Sequence, residues 1–243
     1  MSQSELKPAI KTETTDSGWN SLYKLGGITV LIVMILPLAE VVISLLPGVD
    51  RALAHVVTVD DWFTLFQNHW FLGLRNLGLL NMVGAALLTP TILAIYSALR
   101  RDNQAYATLG TILFFVGIAV YLASSRAFPM LSLSGQYASA TTDAQRSLLA
   151  AAGQAMLAEG QSRSGLLLIE FSCLLISALM FRSKIFSRTT ACAGMLGNLL
   201  MMIVEIAFTP PHGLGMAVAA AGGLSIMTWY LLVGRRLLQL GHL

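Results

Sequence analysis

Residues 77–99 read LGLLNMVGAALLTPTILAIYSAL, without one charged side chain. A helix rises 1.5 Å per residue, so about 20 such residues cross the roughly 30 Å hydrocarbon core of a bilayer. Working outward, similar runs occupy Leu22–Leu46, Tyr106–Ser125, Gly165–Phe181, Thr190–Phe208 and Gly213–Val233. Six runs of this kind in 243 residues leave little chain for anything but a polytopic membrane bundle. The expected fold is therefore all-α, with six transmembrane helices in one domain over residues 21–236. A disordered tail, 1–20, rich in Ser, Thr, Lys and Glu, precedes it and a short tail, 237–243, follows.

Composition points the same way. Hydrophobic residues make up 56% of the chain, charged residues 11%, and the mean hydropathy is +0.71; soluble domains carry about 25% charge. The net charge of +3 does not imply nucleic acid as a partner. The basic residues gather at helix ends: Lys7, Lys11, Lys24, Arg100, Arg101, Arg182, Lys184, Arg188, Arg235 and Arg236 fall on one side. The other side has Arg51, Arg75, Arg126, Arg146 and Arg163, in long connections where charge orients less. This asymmetry places both termini in the cytoplasm. Trp19 and Tyr23, and Trp229 and Tyr230, fit the interfacial aromatic belts. Cys173 and Cys192 both lie in predicted spans and read as small buried side chains, not a disulfide or metal pair. The first run reads as an uncleaved span despite Ala52-Leu53-Ala54, because acids precede it and Glu40 interrupts it.

The first and third outer connections are long enough to hold amphipathic helices. In the first, Thr58-Val-Asp60-Asp61 is a helix start, with Trp62, Phe66 and Trp70 as one aromatic stripe. In the third, Thr142-Asp-Ala-Gln145 is a capping box. It opens a face of Leu148, Leu149, Ala152, Ala155 and Met156, with Gly160 as the stop. The segments Tyr121-Leu-Ala-Ser-Ser-Arg-Ala-Phe128, Leu131-Ser-Leu-Ser-Gly-Gln-Tyr137, Ala140-Thr-Thr-Asp-Ala-Gln-Arg146 and Leu149-Ala-Ala-Ala-Gly-Gln154 carry a resemblance. Over roughly Tyr121–Phe186 the chain resembles an uncharacterised bacterial family of six-span integral membrane proteins, a domain of unknown function. The resemblance implies a bacterial inner-membrane address and transfers no chemistry.

Chemistry then rests on polar residues inside the spans. Glu40, Glu170 and Glu205 fall at similar outer depth on three different runs, and intramembrane acids face a bundle interior or a wet cavity. Asn81 and Asn198 lie on small-residue stripes, and Arg126 and His212 stand at the outer rim. Three readings of this set stay open. The acids pair structurally with Arg126 and Arg163, or they bind a proton or cation, or Glu170, Glu205 and His212 support metal-assisted hydrolysis. No HExxH pair, catalytic triad order, phosphate loop or repeat of the two halves is present, so no catalytic residue, metal ligand or cofactor is assigned. The favoured expectation is a non-enzymatic binder or transporter of a small solute, lipid or proton through an outer-leaflet polar pocket. An intramembrane enzyme or a structural and regulatory membrane partner are the alternatives; the bilayer is the one partner the sequence names, and oligomeric state is not legible.

Overall fold

A computed structural model of the chain describes residues 13–49, 53, 56–159, 163–208 and 212–242. Nine helices are described in it and no strand. Six are long and apolar enough to cross a membrane. They are α1 (Glu13–Ser44), α3 (Leu79–Leu99), α4 (Gln104–Ala123), α7 (Arg163–Arg182), α8 (Arg188–Ala207) and α9 (Leu214–Gly241). Between them lie α2 (Val59–Asn76), α5 (Ala127–Ser139) and α6 (Asp143–Glu159). The protein is thus an all-α, multi-pass membrane bundle. Helix α1 begins ahead of the expected boundary at 21, and α9 takes in most of the stretch expected as a tail. The expected disorder of residues 1–12, the Gly160 stop and most of Ala52-Leu53-Ala54 lie outside the described residues.

The six spans close into a ring. Helix α1 packs on α3 and α9, α4 on α3 and α7, and α8 on α7 and α9, with the α3–α4 seam the lightest. Hydroxyls fasten α1 to α3: Thr91 donates to the Gly26 carbonyl at 2.8 Å and meets Thr29 at 3.1 Å, and Tyr23 meets Ser97 at 3.0 Å. Such interhelical bonds matter because lipid tails compete with any purely apolar seam. Helices α4 and α7 instead approach at Gly117 and Gly165, where an added Cβ would lie 2.9 Å from the Ile169 nitrogen and 2.7 Å from the Tyr121 nitrogen. The outward face of α1 presents Leu25, Ile28, Ile32, Ile35, Leu38 and Val42 at helical spacing, all exposed. An exposed apolar stripe along a span is what a lipid-facing surface requires.

At the end of the ring away from the termini, α2, α5 and α6 build a cap with its own core of Val59, Phe63, Phe66, Leu74, Leu77, Ala127 and Met130. The Thr58 capping box starts α2 as expected, with the Asp61 nitrogen donating to Thr58 Oγ1 and the Thr58 nitrogen to Asp61 Oδ2. The buried stripe runs through Phe63 and Phe66, and Trp70 is exposed beyond a backbone break at His69. The expected aromatic stripe thus keeps Phe66 in this core with Trp62 packed against it, and loses Trp70. Helix α6 begins at the expected box, with Thr142 Oγ1 accepting from the Gln145 nitrogen. It turns Gly153 and Met156 inward and leaves Leu148 72% exposed, because Gly153 lets the helix settle against Val59 and Phe63. Helix α5 has no counterpart among the sequence expectations. Ser134 anchors it, donating to the Phe63 carbonyl at 2.9 Å.

Two interface assignments also change. Trp229 is 2% exposed in the bundle core beside Gly194, and Tyr230 packs against the same core, so neither is an interfacial anchor. Cys173 is buried as expected, whereas Cys192 is exposed on the outer surface of α8.

Candidate polar site within the bundle

The three glutamates do not share one environment. Glu40, in the penultimate turn of α1, pairs with Arg75 from the last turn of α2, Nε to Oε2 at 2.6 Å. Arg75 Nη2 also donates to the Glu40 carbonyl at 2.8 Å and to Ser44 Oγ at 2.6 Å. This arginine therefore locks the last turn of α1 to the cap. Its side chain is 6% exposed, which makes it a buried cation facing one carboxylate and two neutral oxygens.

Glu170 is different. It lies on α7, 8% exposed, and its Oε2 is buried without a hydrogen-bond partner among the described residues. Glu205 on α8 is half-buried and within electrostatic reach of it. Cys173, on the next turn of α7, and Tyr230 on α9 both lie where the Glu170 charge acts on them. A carboxylate with an acid for a neighbour, and no cation in contact among the described residues, is costly to hold charged in a bilayer interior. Below it on α7, Ser172 donates to the Gly110 carbonyl at 2.7 Å and is satisfied. Ser177 is fully buried, and among the described residues its Oγ has no hydrogen-bond partner; the indole Nε1 of Trp229 is in the same condition. Both atoms border Gly194 on α8. Asn198, one turn on, is buried and donates from Nδ2 to the Gly194 carbonyl at 2.7 Å.

The remaining expected site residues stand elsewhere. Arg126 donates from Nη1 to the Met156 and Leu157 carbonyls at 3.3 and 3.0 Å, capping the last turn of α6. Arg163 and Asn81 are exposed, and so is His212, whose carbonyl accepts from the Gly215 nitrogen at the start of α9. The structure thus brings Glu170 and Glu205 to the α7–α8 interior, places Asn198 deeper on the same seam, and gives Glu40 to α2. Among the described residues, no three His, Cys, Asp or Glu side chains stand close enough to hold a metal ion. Sequence reasoning missed Arg75 and Trp229. Arg75 precedes an uncharged run at the depth of Glu40, and that equal depth was the available signal.

A family model, described as a domain of unknown function (DUF4386), matches residues 69–234. No curated protein and no solved structure matches the chain. The matched region includes Glu170, Asn198, Glu205 and Trp229 and excludes Glu40.

Proposed function

The chain belongs to the DUF4386 family, whose description assigns no activity, and on that premise we propose that it is a non-enzymatic membrane protein that takes up a proton at Glu170 in binding or moving a small solute. The observation that carries this reading is the buried, unpartnered Glu170 Oε2 with Glu205 in electrostatic reach. A carboxylate so placed accepts a proton to become neutral, and each exchange changes how much charge the α7–α8 interior holds. Glu205 is half-buried near the end of its helix and supports the reading as a second acid within electrostatic reach. Ser177 on α7, Asn198 on α8 and Trp229 on α9 extend a line of buried polar atoms from Glu170. The resemblance to a bacterial family and the basic residues at the terminal end support the inner membrane, with both termini cytoplasmic.

The test is pH-difference infrared spectroscopy on purified protein. In the wild type a protonated-carboxyl band should appear and vanish as pH is cycled. Glu170→Gln, which keeps the shape and removes the titrating group, should lose it. Identical difference spectra from the two proteins would sink the reading.

A further inference from the structure

The end of the bundle that carries both termini holds a cleft of about 470 Å³ between the α7–α8 turn and the last turns of α9. Lys184, Arg235 and Arg236 line it with Ser187 and Thr190, and no carboxylate is part of its wall. Among the described residues no Asp or Glu pairs with any of the three cations. Arg236 is held in place: its Nε donates to the Ile185 carbonyl at 2.7 Å and its Nη1 to Gln239 Oε1 at 3.2 Å. A guanidinium carries five N–H donors in a rigid fork, so further donors remain for an anion. Ser187 accepts from the Thr190 nitrogen as the N-cap of α8, which aims the positive end of that helix at the same space. Ile185, Phe186 and Leu232 supply an apolar wall beside the charges.

Orientation in the membrane requires basic residues at this end of the chain, but not their convergence on one cleft with an apolar side. Arg182 and Arg188 belong to the same turn and are not among the lining residues. Three cations lodged together repel one another unless an anion joins them. A phosphate carried on acyl chains fits both walls, its oxygens on the cations and its tails along Leu232 toward lipid. We propose that this cleft binds the phosphate group of an anionic phospholipid.

The experiment measures lipid retention by native mass spectrometry and thermal stability of the full chain in a neutral detergent. The probes are phosphatidylglycerol, phosphatidylcholine and inorganic phosphate. Phosphatidylglycerol should be retained and raise the melting temperature, phosphatidylcholine much less. The double variant Lys184→Gln/Arg235→Gln should weaken binding about 25-fold, at about fivefold per charge for roughly 1 kcal/mol each. Arg182→Gln/Arg188→Gln removes as many charges from the same turn and should bind as the wild type does. Equal weakening by both pairs would overturn the cleft in favour of diffuse surface charge. Inorganic phosphate binding as tightly as phosphatidylglycerol would overturn the lipid as the source and assign the cleft to the free anion. Lys184 and Arg235 are exposed, so their replacement leaves the packed core intact.

Discussion

At the scale of single residues, the ion pair between Arg75 and Glu40 shows how burial decides the worth of a charge. Removing one partner strands the other, and a buried pair broken on one side costs about 3–5 kcal/mol. Glu40 is 28% exposed, so water shares the load and the lower end applies. Glu40→Ala should therefore lower the unfolding free energy by about 3 kcal/mol, read by thermal denaturation in detergent. The double change Glu40→Leu/Arg75→Met should recover most of that, since neither apolar residue leaves a bare charge. A double variant as unstable as the single one would mean that Arg75 acts through the Glu40 carbonyl and Ser44, not through the carboxylate. That Glu170 and Glu205 come within electrostatic reach of each other was legible from run boundaries, because helix rise converts position into height. Their unlike surroundings, and the claim of Arg75 on Glu40, were not legible. Pairing depends on which spans are neighbours, and that is set by the azimuth of each helix, which composition leaves open.

Among elements, the helices of the ring meet where side chains are smallest, and Gly194 is the tightest such point on α8. A Cβ there would fall 2.6 Å from the Trp229 indole nitrogen and nearer still to Ser177 Oγ. Gly194→Ala should cost about 1–3 kcal/mol of stability by overpacking. Gly223, on α9, has nothing within 4 Å of the same position, so Gly223→Ala should hold the melting temperature or raise it slightly, Ala being the better helix former. Equal losses at the two sites would remove close contact as the cause of the Gly194 effect, since helix propensity favours Ala over Gly at both. Helix existence in the cap was readable from the Thr58 and Thr142 boxes, since capping is local chemistry. The buried faces were not. On α2, Trp62 and Phe63 are adjacent apolar positions, and the seats of α5 and α6 on Phe63 select between them. On α6 the small side of the helix, at Gly153, won over the bulkier Leu148 because the partner lay close. Helix α5 escaped notice because Ser132, Ser134, Gly135 and Ser139 give it a loop-like composition, and its stability comes from packing on α2.

For the molecule as a whole, the excess of basic residues at the terminal end predicts the topology. Reporter fusions after Asn103 and Arg188 should read cytoplasmic, and one at Ala152, in the cap, periplasmic. A cytoplasmic signal at Ala152 would invert the bundle and move Glu170 to the opposite leaflet. Span number was plain from the sequence because hydrocarbon thickness imposes a length on every crossing. The closed order of the ring was not, since it is a matter of which lateral faces meet. That order has a consequence for biogenesis. Of these six spans, the last to be made is the one that packs against the first, with Gly27 of α1 set against the Gly234 carbonyl of α9. Helix α1 must then wait in the bilayer with its small-residue flank uncovered until the other five spans have been made. Any chain terminated before α9 leaves that flank open to lipid or to the quality-control proteases that read unassembled spans.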